Sequence, residues 1–172
     1  MKIIILGAGQ VGSSLAHHLA SEANDITVID TNREILRELQ DRLDLRTIIG
    51  HCAHPDVLEQ AGVADSDMVI AVTDSDETNM IACQIAYTLF HTPTKIARVR
   101  EGSYLEHPEL FVQDALPVDV LISPEQLVTD YVARLISHPG ALQAVSYTHL
   151  TLPTKEDECR WGGGACVGVW GG

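Results

Sequence analysis

The chain has 172 residues, with 24 acidic and 11 basic side chains and a formal net charge of -13. This length suits one domain that buries roughly two-thirds of its unfolded surface without disulfides. The acidic balance argues against a nucleic-acid partner, which needs clustered Lys and Arg, and no apolar run reaches the roughly 18 residues that span a bilayer.

The chain begins with a predicted apolar strand over residues 2–6, a glycine-rich turn and a helix over residues 11–21. Gly7 permits a tight exit from the strand, Gly9 removes a Cβ that would hold backbone away from a pyrophosphate, and Gly12 lets the helix pack closely on the sheet. Unpaired N–H groups at the start of the helix would face the phosphates. The alternative is a turn that serves packing alone.

A second predicted strand, residues 26–30, ends at Asp30, at the spacing of a dinucleotide-binding βαβ unit. A carboxylate there accepts hydrogen bonds from ribose hydroxyls and repels a 2′-phosphate. Asp30 therefore favours NAD or an adenosine nucleotide over NADP. Arg33 could weaken that preference, or it could be a solvated helix charge.

Strand and helix patterns alternate to about residue 136 and predict a Rossmann-like α/β fold, a doubly wound parallel sheet of about six strands with helices on both faces. Further strands are predicted at 46–49, 68–72, 95–99 and 119–122. Further helices are predicted at 32–43, 55–61, 77–91, 104–113 and 124–137. The last of these has an apolar stripe wide enough to pack on a second subunit, or it simply closes the sheet.

Polar residues follow the predicted strands at the edge of the sheet where a ligand would bind. Thr73 and Asp74 come directly after the fourth strand, either as ligand contacts or as helix caps. Residues 75–77 fit helix capping better. Arg98, near the end of the fifth strand, could neutralise a diphosphate or form a surface ion pair.

The four cysteines predict neither a disulfide framework nor a zinc site. Cys52 follows the third strand together with His51, and Cys83 lies in an apolar helical run typical of a buried thiol. Cys159 and Cys166 lack the paired spacing of metal ligands. We therefore expect no metal.

Residues 146–172 differ in composition from the rest of the chain and show no strand or helix period. Residues 146–155, SYTHLTLPTK, resemble translated sequencing-adapter sequence. We interpret residues 146–172 as a disordered or non-native tail without a domain. Resequencing of the locus should find a different continuation, and recovery of the same tail in an intact gene would contradict this interpretation.

With these residues placed, residues 1–145 resemble the N-terminal nucleotide-binding domains, of the KTN or RCK type, of regulatory subunits in bacterial Trk potassium uptake systems. The resemblance rests on the glycine turn, Asp30, and the segments TDSDETNM at 73–80 and PGALQ at 139–143. It implies a non-enzymatic regulator that binds NAD or NADH, with ATP or ADP possible in the same site. It also implies a homo-oligomeric ring beneath a potassium-translocating membrane subunit of the TrkH or TrkG type, on the cytoplasmic face of the inner membrane.

The resemblance places the nucleotide contacts on ten residues and implies no catalytic residue. They are Gly7, Ala8, Gly9, Gln10, Val11, Gly12, Asp30, Thr73, Asp74 and Arg98. Family members continue into further ligand-sensing and nucleotide-binding parts that this chain lacks.

Two other functions remain open at this point. A small NAD-dependent oxidoreductase would need a substrate pocket and a proton donor, and no Tyr and Lys pairing of a reductase kind is present. A nucleotide-sensing module could instead serve another protein partner. Copurification with a potassium-translocating subunit, or steady NADH oxidation with a simple carbonyl, would separate these alternatives.

Overall fold

A computed structural model of the chain describes residues 1–22, 24–112 and 115–123. The predicted helix over 124–137 and the predicted tail over 146–172 lie outside the described residues. The described part forms a six-stranded parallel sheet with helices, which confirms the predicted Rossmann-like class. In these ranges, every helix falls short of the length and apolarity that a bilayer crossing requires.

The elements follow each other in strict strand and helix alternation. Strands β1 to β6 span Lys2–Leu6, Asp25–Asp30, Arg46–Ile49, Met68–Ala71, Thr94–Arg98 and Val120–Ile122. Helices α1 to α5 span Gln10–Ala20, Arg33–Arg42, Pro55–Ala61, Asp76–Phe90 and Gly102–Leu105, with 3₁₀ turns at Val63–Asp65 and Pro108–Leu110. Every strand lies within one residue of its predicted bounds.

The sheet has the order β3-β2-β1-β4-β5-β6, and all neighbouring strands are parallel. The chain moves outward from β1 to β3 and then crosses to the other side of β1 to place β4. At such a reversal, the loops after the two central strands diverge and leave a crevice outside their carboxyl ends. The topology therefore places the cleft over β1 and β4.

Alternate residues of β1 face two separate apolar cores. Ile3 and Ile5 pack in the cluster that contains the apolar residues of α1 and α2. Ile4 and Leu6 pack in the cluster that contains those of α3 and α4. Helices thus cover both faces of the sheet, which explains why β1 is apolar along its buried length and does not alternate with polar residues.

The predicted helix over 104–113 is wrong. Helix α5 ends at Leu105, and a separate 3₁₀ turn begins at Pro108. Proline disfavours helical backbone in the residue before it, and His107 has φ of -118° and ψ of 71°, outside the helical region. The apolar spacing alone could not show this interruption.

Candidate functional site

A cavity of about 550 Å³ lies at the carboxyl ends of the central strands. All the predicted nucleotide contacts except Ala8 and Gly12 line it, namely Gly7, Gly9, Gln10, Val11, Asp30, Thr73, Asp74 and Arg98. Four polar residues that were not predicted as contacts, Thr31, Asn32, His51 and Thr78, also line it. In the described ranges, no three His, Cys, Asp or Glu side chains form a metal-binding group.

The glycine turn needs its first glycine for two reasons. Gly7 has φ of +99°, in the left-handed region that side chains disfavour. A Cβ there would lie 2.9 Å from the Cα and the backbone N of Thr73. Gly7 therefore allows both the tight exit from β1 and the close approach of the chain that leaves β4.

The other two glycines have different surroundings. A Cβ on Gly12 would lie 1.8 Å from the carbonyl oxygen of Gly7, so only glycine lets α1 start this close to the strand end. A Cβ on Gly9 would have no protein atom within 4 Å. The space beside the Cα of Gly9 is therefore open.

Helix α1 begins without the side-chain cap that α2 and α4 have. Its N-cap residue is Gly9, and its first turn has no acidic residue. By contrast, Asn32 Oδ1 accepts hydrogen bonds from the first turn of α2, and Ser75 Oγ accepts one from Thr78 N in α4. The first amides of α1 lack an intrahelical acceptor, and together with the helix dipole they favour an anion at this end of the cavity.

Asp30 lies beside the glycine turn at the end of β2. Its Oδ2 accepts a hydrogen bond of 2.6 Å from Ala8 N, and its Oδ1 accepts one of 2.7 Å from Asn32 N. The N–H of Ala8, one of the ten predicted nucleotide contacts, thus donates to the carboxylate. This bond fixes the carboxylate next to the backbone of the glycine turn.

The loop after β3 contributes His51 and Cys52, which were placed at a strand end from the sequence but were not predicted as nucleotide contacts. His51 is exposed, its Nδ1 accepts a 3.3 Å hydrogen bond from Ala53 N, and its ring centroid lies 4.7 Å from that of His54. Burial, with a smaller effect of the Asp30 charge, raises the pKa of the Cys52 thiol from 9.0 to about 12. Cys52 is therefore a neutral thiol near pH 7, and His51 is the polar group that this loop presents to the cavity.

On the other side of the cavity, one buried side chain joins the ends of β4 and β5. Asn79 Oδ1 accepts hydrogen bonds from Thr73 N at 2.9 Å and from Thr73 Oγ1 at 2.7 Å. Asn79 Nδ2 donates to the carbonyl oxygen of Arg98 at 2.8 Å. Asn79 lies in the segment at 73–80 on which the family resemblance rests, and its role depends on a partner 19 residues away.

The prediction of caps over residues 75–77 holds for Ser75 but is incomplete for Asp76. Asp76 is 6% exposed, and its Oδ2 accepts hydrogen bonds from Arg100 N at 2.7 Å and Glu101 N at 2.8 Å. The Arg100 guanidinium in turn donates to the carbonyl oxygen of Asp74. Asp76 therefore holds the loop after β5 against the start of α4.

Comparison with protein families and curated proteins gives consistent matches. The family model of the TrkA-N domain matches residues 3–124. Proteins named Trk system potassium uptake protein TrkA are 65% identical over 148 residues in Halomonas elongata and 56% identical over 164 residues in Vibrio alginolyticus. These alignments cover 86% and 95% of this chain but 32% and 36% of the relatives. The chain thus spans about a third of the length of the curated relatives it matches.

Solved structures share the fold at low sequence identity. The TrkA-N domain of inner membrane protein ybaL from Escherichia coli has a TM-score of 0.69 at 18% identity, over 78% of this chain and 96% of that chain. The GsuK channel bound to NAD has a TM-score of 0.64 at 23% identity, over 76% and 23% of the two chains. GsuK bound to ADP has a TM-score of 0.66 at 22% identity, over 80% of this chain and 35% of that chain.

Proposed function

This chain belongs to the TrkA-N domain family, and on that premise we propose that it is the nucleotide-binding part of a regulator of bacterial potassium uptake. Its ligand is NAD or NADH, with ATP or ADP able to occupy the same site, and it binds this ligand without turning it over. The observation that carries the proposal is a single cavity lined both by the uncapped start of α1 and by the carboxylate of Asp30. These two features recognise a diphosphate and a ribose.

The strand order suggests how the ligand lies in the cavity. The diphosphate faces Gly9 and the first amides of α1, and the adenosine ribose hydroxyls face Asp30 on β2. The base follows on the β3 side of the ribose. There it lies beside Ile35 and His51, which line that side of the cavity. The rest of the ligand then lies over β4 and β5.

The comparisons support both parts of the proposal. The GsuK structures that share this fold are described as bound to NAD and to ADP, and the curated relatives are named as potassium uptake proteins.

A ligand can shift a regulator only through different affinities for its two conformations, and a hundredfold difference in affinity supplies about 2.7 kcal/mol. We propose that a homo-oligomeric ring of such domains, on the cytoplasmic face of the inner membrane, transmits this preference to a potassium-translocating subunit of the TrkH or TrkG type.

The nucleotide part is tested by calorimetric titration of the 172-residue chain with AMP, ADP, ATP, NAD, NADH and NADPH. We expect binding of the adenine nucleotides and of NADH, and at least about tenfold weaker binding of NADPH, because its 2′-phosphate would approach the Asp30 carboxylate. Steady oxidation of NADH with a simple carbonyl would favour the oxidoreductase alternative. Absence of binding to every nucleotide would reject the proposal.

The partner is tested by purifying the protein from bacterial membranes. Copurification with a potassium-translocating subunit, dependent on the nucleotide present, is the expected result. Copurification with an unrelated protein instead would favour the sensing module with another partner.

Substitution of His51 by Ala tests the proposed position of the base. The Nδ1 of His51 is occupied by the Ala53 N–H, so a neutral ring presents an Nε2–H donor, which a ring nitrogen of the base can accept. We expect calorimetry to show about 5- to 20-fold weaker ADP binding. This change corresponds to the loss of one hydrogen bond and part of a stacking contact. His107→Ala, an exposed histidine outside the cavity, is the control, and equal affinities of the two variants would place the base elsewhere.

A further inference from the structure

We infer that Asn79 is a positioning residue that holds Thr73 and Arg98 in the arrangement needed for the second half of a dinucleotide. The inference rests on the proposed nucleotide function. Asn79 itself is fully buried and does not line the cavity, whereas Thr73 and Arg98 both do. Its effect on the ligand therefore passes through these two residues.

The hydrogen bonds of Asn79 reach both strand ends at once. Its oxygen accepts from the backbone N and the hydroxyl of Thr73, and its amide nitrogen donates to the backbone oxygens of Arg98, at 2.8 Å, and Thr73, at 3.4 Å. Only a side chain with both an acceptor and a donor at its tip can make this set of bonds. The carboxamide of Asn79 thus sets the spacing between Thr73, two positions after β4, and Arg98, the last residue of β5.

The two halves of the cavity are held by separate hydrogen bonds. On one side, Asp30 is fixed by the amides of Ala8 and Asn32. On the other side, Thr73 and Arg98 are fixed by Asn79. The hydrogen bonds of Asn79 include none to Asp30 or to the glycine turn, so loss of Asn79 should disturb one half of the cavity and leave the other in place.

This division gives the inference a specific signature. AMP carries only the adenosine half and one phosphate, so it needs Asp30 and the start of α1 but neither Thr73 nor Arg98. NADH reaches over β4 and β5 and needs both halves. A residue that merely stabilises the fold would change the affinities for AMP and NADH together.

The experiment compares the affinities of AMP and NADH for the 172-residue chain and its Asn79→Ala and Asn79→Asp variants by calorimetry. We expect Asn79→Ala to weaken NADH binding by about tenfold or more and to change AMP binding by less than about twofold. Asn79→Asp keeps the acceptor for Thr73 but loses the donor to Arg98, and it is expected to show the same selective loss. The control is Gln84→Ala, which removes another amide from α4 whose nitrogen donates to Thr88 instead of a strand end.

Each outcome either supports or overturns the inference. Retained AMP binding shows that a variant is folded, and Thr73→Val provides a second variant that should repeat the selective loss if Asn79→Ala does not fold. Equal losses of AMP and NADH in a folded Asn79 variant, or no loss of either, would overturn the positioning role. If the unsubstituted chain binds neither ligand, the proposed function fails first, and the inference fails with it.

Discussion

Replacing Gly12 by Ala is expected to abolish nucleotide binding and to lower the free energy of unfolding by about 3 kcal/mol or more. The new Cβ would lie 1.8 Å from the carbonyl oxygen of Gly7 and 2.9 Å from its carbon. Both are backbone atoms of the turn, so no side chain can rotate away to make room. Helix α1 would have to move off β1, and its amides would leave the phosphate position. Urea denaturation gives the loss of stability, and calorimetry with ADP gives the loss of binding.

Gly9→Ala is the matched control for this prediction. A Cβ on Gly9 meets no protein atom within 4 Å, and its φ of -62° suits any residue. We therefore expect the stability of Gly9→Ala to stay within about 0.5 kcal/mol of the original chain. Its ADP affinity should still fall, because the added methyl group stands where the backbone approaches the diphosphate. A Gly12→Ala variant with unchanged stability would contradict the packing argument.

Replacing Asp30 by Ala is expected to weaken the binding of NADH and ADP by about 30- to 100-fold. Hydrogen bonds to a charged acceptor contribute about 1.5 to 3 kcal/mol, and the carboxylate can accept from both ribose hydroxyls. The substitution also removes the acceptor that holds the Ala8 amide, so the glycine turn loses its link to β2. Calorimetry measures the affinities, and Asp25→Ala, at the exposed opposite end of β2, is the control.

Asp30→Asn removes the charge and one of the two acceptor oxygens. It keeps an acceptor oxygen but removes the negative charge, so we expect a smaller loss of NADH affinity than in Asp30→Ala. Its discrimination against NADPH should decrease, since no carboxylate then repels the 2′-phosphate. Unchanged NADH affinity in Asp30→Ala would remove Asp30 from the site.

The fold class could be predicted because its signals are local. The apolar run before Gly7, the glycine turn and Asp30 lie within the first 30 residues, and each depends on near neighbours in the chain. A parallel sheet brings the carboxyl ends of its strands to one edge, so Thr73, Asp74 and Arg98 could be placed near the glycine turn from the strand assignments. The structure confirms that these residues line one cavity. Ligand binding by them stays a prediction.

The hydrogen bonds that the sequence did not predict are those between residues far apart in the chain. Asp76 is at the start of a helix, where an acidic residue usually serves the helix, but its carboxylate binds amides 24 and 25 residues away. Ala8 is in the glycine turn, and its N–H donates to a carboxylate 22 residues away. No periodicity in the sequence encodes either pairing.

The parallel Rossmann-like sheet and its glycine turn follow from the sequence alone, because hydrophobic periodicity and backbone freedom at glycine are properties of short segments. Which polar side chains hold the cavity together depends on the tertiary structure. Asn79 joins β4 to β5, and Asp30 joins β2 to the turn after β1. Such bonds depend on which strand ends become neighbours and on which side chains are buried between them, and both are settled only when the sheet assembles.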